Sequence, residues 1–139
     1  MSEKKSLAIV VEEGTVDKLY CAFIMSSAAV AMGMEAHLYF TFFGLMALVK
    51  GAMDKAGLPE TYKQFEGKMV ANLAKMKYPK PYDMLKQLKK SKNFHLYACS
   101  PSMAMFEIKK EDLIPEVEQI VGAATFLELA SRSNVSLFI

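Results

Sequence analysis

The stretch HLYACSPSMAMF, residues 95–106, decides how the chain is read. Phe94 to Ala98 is a short run of apolar and aromatic residues, the composition of a strand. Ser100, Pro101 and Ser102 follow as a turn into a short helix, with Pro101 suited to a first helical turn where its missing N–H is not needed. Cys99 therefore stands at the carboxyl end of a strand, against a helix start. It is either a small hydrophobe that ends a core strand or a reactive thiol whose pKa is lowered by nearby N–H donors.

Three further runs resemble the one before Cys99: LAIVV (7–11), AHLYFTFF (36–43) and VSLFI (135–139). None alternates cleanly between apolar and polar, which is how strands covered on both faces read in a parallel sheet. A fifth, shorter strand is expected around Gln119–Val121. Helices fill the intervals. One runs from Asp17 to Met32, with Thr15 as its cap and Gly33 as its stop; others span Pro81 or Tyr82 to Ser91 and Ala123 to Ser131. Strands that alternate with helices predict one α/β domain of three layers, α/β/α, with a mostly parallel sheet of about five strands.

The interval from Gly44 to Pro79 is longer than a minimal crossover requires and contains a short helix near Leu45–Lys50. It reads as an insertion beside the ligand edge, acting as a lid or a subunit contact. The Asp17–Met32 helix is apolar almost all round, so a second subunit is its expected cover.

With 139 residues, the chain is long enough to bury a core. A net charge of +2 and the lack of an arginine-rich arm argue against nucleic acid. Lys86, Lys89, Lys90 and Lys92 read as a solvated helix end. The most apolar segment falls short of a membrane span, and no secretory signal is visible. Two cysteines make no disulfide framework, so a cytoplasmic protein with reduced thiols is expected.

Ligands of open α/β sheets sit at the carboxyl ends of the strands. Three loops meet there, and they supply Gly14 and Thr15, then Gly44, then Cys99, Ser100, Ser102 and Met103. These residues form the candidate thiol and anion pocket, with Met103, Met105 and Phe106 as its apolar surround. Ser100 is the expected helix cap. No GxGxxG or Walker sequence is present, and no cofactor is implied. Cys21 reads as a core residue one turn into its helix. His37 and His95 fall near the starts of their strands; His95 lies about 13 Å from Cys99 at about 3.3 Å per residue, too far for a Cys–His pair. The two histidines and two cysteines scatter without ligand spacing, so no metal site is expected.

KSLAIVVEEGTVDKLYCAF, GMEAHLYFTFFGLMALVKG, FHLYACSPSMAMFEIKKEDLIPEVE and IVGAATFLELASRSNVSLFI together resemble the DsrE/DsrF-like proteins, in the branch labelled peroxiredoxin-like or sulfurtransferase-like. The resemblance covers nearly the whole chain and is weakest over the insertion. It implies a five-stranded, mostly parallel α/β domain assembled into homo-oligomers. It also implies a cysteine persulfide, here on Cys99, that passes sulfur along a relay. The implied exchange partners are a small sulfur-carrier protein or a rhodanese-like donor. Nothing in the family pattern matches Cys21. The peroxiredoxin label finds no support, because a peroxidatic cysteine with its Thr and Arg partners is missing. The competing reading is a non-catalytic binding or assembly module with a site at the Met-lined strand edge. A thiol-redox role ranks third, since Cys-Ser-Pro-Ser has no resolving cysteine at the usual spacing.

Overall fold

The computed structural model describes residues 4–139. Its strands are β1 (Ser6–Val11), β2 (Glu35–Phe40), β3 (Phe94–Cys99), β4 (Gln119–Val121) and β5 (Val135–Phe138). They form one sheet in the order β4-β3-β2-β1-β5, and every neighbouring pair is parallel. The helices are α1 (Val16–Ala31), α2 (Phe42–Met46), α3 (Glu66–Lys75), α4 (Pro81–Lys89), α5 (Ser100–Met105) and α6 (Ala123–Ser131).

The two sheet faces differ in their cover. Leu7, Ile9 and Val11 of β1, Leu38 and Phe40 of β2, and Phe94 and Leu96 of β3 point one way. They pack against Leu19 and Phe23 of α1, Leu45 of α2, Leu85 and Leu88 of α4 and Met103 of α5. The opposite face carries Ala8, Tyr39, Tyr97 and Cys99, closed chiefly by Phe126 of α6. Strand side chains alternate between faces, so every second residue of β2 and β3 falls on this thinner side. The expected three-layer α/β/α domain with five strands is the one observed.

Several local expectations change. The apolar run 36–43 is a strand only to Phe40. Thr41 is extended, Phe42 takes a positive φ of 47°, and α2 starts there instead of near Leu45. The sharp turn brings Gly44 onto β1, where a Cβ would sit 2.2 Å from the Val11 carbonyl oxygen. Only glycine allows that approach. Leu45, Leu48, Met53 and Leu58 are core residues, whereas none of the residues in Glu60–Phe65 and α3 is buried.

Cys21 is exposed, contrary to the core placement expected for it. The reason is helical phase: α1 buries Val16, Leu19, Ala22, Phe23, Ser26 and Ala29, and Cys21 lies opposite them. It shares the outer side with Ile24, Met25, Ala28 and Met32. The helix that reads as apolar all round thus leaves an apolar stripe uncovered.

Candidate functional site

Cys99 is the last residue of β3 and the N-cap of α5, with 5% of its surface exposed. The sulfur meets a set of hydroxyl donors. The Ser102 hydroxyl donates to Sγ at 3.2 Å. Ser102 is fully buried, and its oxygen also accepts from the Phe42 N–H at 2.8 Å and lies 3.1 Å from Thr41 Oγ1. With Phe42 and Thr41 donating to that oxygen, the single Ser102 proton is directed to the sulfur. Thr41 reaches the thiol through Ser102, and the nearby Tyr39 hydroxyl donates to the Val121 carbonyl at 3.4 Å.

The electrostatic balance follows from these contacts. Burial alone pushes the Cys99 thiol up; hydrogen bonding led by the Ser102 hydroxyl outweighs it and holds the thiol below its ordinary value. Tyr39 moves the other way: burial first, then the hydrogen bond and charge of Cys99, keep its phenol protonated far above the usual tyrosine range. It therefore remains protonated wherever the thiol ionises.

The sequence-predicted residues divide. Cys99 and Ser102 meet directly. Ser100 is exposed and makes no capping hydrogen bond, because Cys99 itself holds the cap position expected for Ser100. Met103 is buried and belongs to the opposite core, so it does not line an apolar mouth around the sulfur. Phe42, Phe43, Met46 and Met105 are the exposed apolar side chains of α2 and α5. Gly14 packs its Cα side on Phe43 and Ala47, and Gly44 on Val11, so these two glycines bring backbones together. Thr15 takes the N-cap of α1, but its buried hydroxyl makes no hydrogen bond. Two clefts, of about 580 and 710 Å³, lie along α1 and α4, and neither is lined by Cys99.

Sequence reasoning missed Thr41 and Tyr39. Both sit inside a run that reads as uninterrupted strand, and only the parallel pairing of β2 with β3 brings them beside the thiol. It also missed a second polar group at the other end of the same face. The register pairs His37 with His95, and their rings stack with centroids 4.7 Å apart. Glu35 lies next to both, with its two oxygens 3.6 Å from His37 Nε2 and 3.9 Å from His95 Nε2. The expected scatter of the histidines is therefore corrected; strand pairing joins what sequence spacing separates. His37 Nδ1 is 2.9 Å from the Tyr97 hydroxyl, and His95 Nδ1 is 2.9 Å from Glu118 Oε2. Burial, followed by the adjacent His95, holds the His37 imidazole below its ordinary value. Tyr97 is pushed up to about 12, first by burial and then by Glu118 and Glu35.

Comparison with known proteins adds the relationships. The family model described as DsrE/DsrF/DrsH-like matches residues 3–92 and 59–138. The chain is 31% identical to the sulfur carrier protein DsrE2 of Allochromatium vinosum, across 99% of each chain. It is 26% identical to the uncharacterized protein YrkE of Bacillus subtilis, covering 99% of this chain and 98% of that one. Among solved structures, MTH1491 of Methanobacterium thermoautotrophicum, a protein of unknown function, superposes with a TM-score of 0.68 at 10% identity, over 98% of this chain and all of that one. The ychN protein of E. coli gives a TM-score of 0.62 at 13% identity, over 99% of this chain and all of that one. At such identities the structural likeness concerns the fold, whereas the family match and the full-length relative concern descent. The chain belongs to the DsrE/DsrF/DrsH-like family.

Proposed function

We propose that this chain, a single domain with an insertion over 44–79, is a sulfur carrier that holds sulfane sulfur as a persulfide on Cys99. The observation that carries the reading is a strand-end thiol whose sulfur accepts from the Ser102 hydroxyl, itself fixed by Thr41 and the Phe42 N–H. The full-length similarity to a sulfur carrier protein supports it.

The chemistry balances without a cofactor. The Cys99 thiolate attacks the outer sulfur of a polysulfide or persulfide donor. A new S–S bond forms, the donor's S–S bond breaks, and its electron pair leaves with the donor as a thiolate. An acceptor thiolate then attacks the terminal sulfur, and the electron pair returns to Cys99. The hydroxyl donors stabilise each anionic state of Sγ, as an oxyanion hole stabilises oxygen. The transferable sulfur stands about 2 Å beyond a nearly buried Sγ, at the S–S bond length. The exchange partner is a small sulfur-carrier protein or a rhodanese-like donor, in the cytoplasm, where two free thiols stay reduced. Among the described residues no helix is long and apolar enough to cross a membrane.

Ile24, Met25 and Met32 make α1 the contact face of a homo-oligomer, since their exposed side chains sit on one stripe. Light scattering that finds a monomer at micromolar concentration removes that assembly. For the carrier itself, the protein is incubated with polysulfide and weighed intact. One added sulfur atom, absent in Cys99→Ser, is expected; equal loading of the two proteins overturns the reading.

A further inference from the structure

The strand-start cluster has the composition and the surroundings of a metal centre. We propose that Glu35, His37 and His95 bind a divalent transition-metal ion of the zinc class through both Nε2 atoms and the Glu35 carboxylate.

The ligand atoms lie within 4.8 Å of one another. Around an ion with bonds of about 2.0–2.2 Å, tetrahedral ligands stand about 3.3–3.5 Å apart. The 3.6 and 3.9 Å separations, each to a different Glu35 oxygen, need a slight closure, and the near-parallel rings must rotate to turn both Nε2 lone pairs onto one ion. Glu35 is partly exposed and free to supply the closure, and the opening leads to solvent.

The outer contacts aim the ligands. A carboxylate only accepts hydrogen bonds, so His95 donates its Nδ1–H to Glu118 at 2.9 Å, and in the neutral ring the Nε2 lone pair turns toward Glu35. Glu118 is itself held by Lys89 Nζ at 3.1 Å. His37 presents Nδ1 to the Tyr97 hydroxyl at 2.9 Å, which leaves its Nε2 on the same side. Metal-binding histidines show this arrangement, with one nitrogen on the ion and the other fixed by a carboxylate or other polar group. A bound ion joins the anionic Glu35 to the two imidazoles.

Two nitrogens and one carboxylate select a zinc-class ion over calcium or magnesium, which take oxygen ligands. Three protein ligands leave at least one position for water or a small anion. This centre does not depend on the sulfur chemistry of Cys99, which lies at the far end of β3.

The full chain, with Co²⁺ and Zn²⁺ as probes, gives the test. Expected is one equivalent of Co²⁺ with a visible spectrum free of thiolate charge transfer, retained in a Cys21→Ser/Cys99→Ser protein. Glu118→Gln should weaken binding about 10–100-fold, as for a supporting carboxylate, and Glu35→Gln or His95→Gln by more than that. The chain has two histidines, so the unsubstituted protein gives two imidazole Cε1–H signals by NMR. Both should shift with one equivalent of Zn²⁺, a readout that needs no variant to fold. Unmoved histidine signals, binding that survives Glu35→Gln and His95→Gln at full strength, or binding lost with the thiols overturns the proposal.

Discussion

The two ends of the β2–β3 pair carry polar groups on one sheet face, yet they are built differently. At the carboxyl end, Cys99 is nearly buried, and the hydroxyl groups near it, on Tyr39, Thr41 and Ser102, are uncharged. At the amino end, His37 and His95 are bracketed by the carboxylates of Glu35 and Glu118 in a partly open setting. Between them stand Tyr97, which touches the histidine end, and Tyr39, which touches the thiol end. One end favours an anion by dipoles alone; the other concentrates negative charge and nitrogen lone pairs and favours a cation. The same two strands thus present opposite electrostatic demands about 13 Å apart, and residue type at each end decides which prevails.

This contrast is tested most severely by Cys99→Ser. It should abolish sulfur loading while leaving Co²⁺ affinity and fold unchanged, as read by intact mass and by titration. A change at both ends would show that they act as one site. Gly44→Ala comes next. Its Cβ would press on the Val11 backbone at 2.2 Å, so chemical denaturation should show a loss near the upper end of the overpacking range, about 3 kcal/mol. The thiol end should suffer with it, because α2 sets the Phe42 N–H on Ser102.

Ser102→Ala is expected to cost less, about 1–3 kcal/mol, for leaving the Phe42 N–H and the Thr41 hydroxyl without their partner. Its sharper effect is on pH. In the unsubstituted protein the Cys99 thiol ionises below the ordinary thiol range, so its alkylation rate should rise to a plateau at lower pH than a free thiol's. Removing the hydroxyl should move that inflection up, and iodoacetamide labelling followed by peptide mass analysis measures it. An inflection left in place would mean that Ser102 is merely structural. The smallest effect belongs to Cys21→Ser, which should leave loading, pH profile and stability, within about 0.5 kcal/mol, as they are.

The two ends also differ in how far they can be read from residues alone. The thiol end is written locally: a strand, a cysteine, then Ser-Pro-Ser predict a strand tip against a helix start, and β3 and α5 meet there. Ser102 lies within that same short motif. Thr41 and Tyr39 do not, and the apolar run around them conceals that the strand stops at Phe40. The turn there depends on Gly44 meeting Val11, a contact between distant segments that no local periodicity reports. The histidine end is wholly a product of pairing. Ligand spacing searched along one segment finds nothing, because Glu35 and His37 come from β2 and His95 from β3. Helix phase misleads in a third way: α1 has too few polar residues to mark its outer side, so Cys21 reads as core while the structure turns it outward.

The pairing of β2 with β3 has one more consequence, for folding fidelity. His37 faces His95 and Tyr39 faces Tyr97 in a single ladder, so a slip of one residue would send His95 and Cys99 of β3 to the opposite face together. A misaligned chain cannot keep one end and lose the other. The ladder works as a proofreading gauge with two dials: in any refolded sample, the fraction of molecules with stacked histidines and the fraction with Thr41 on Ser102 must be the same.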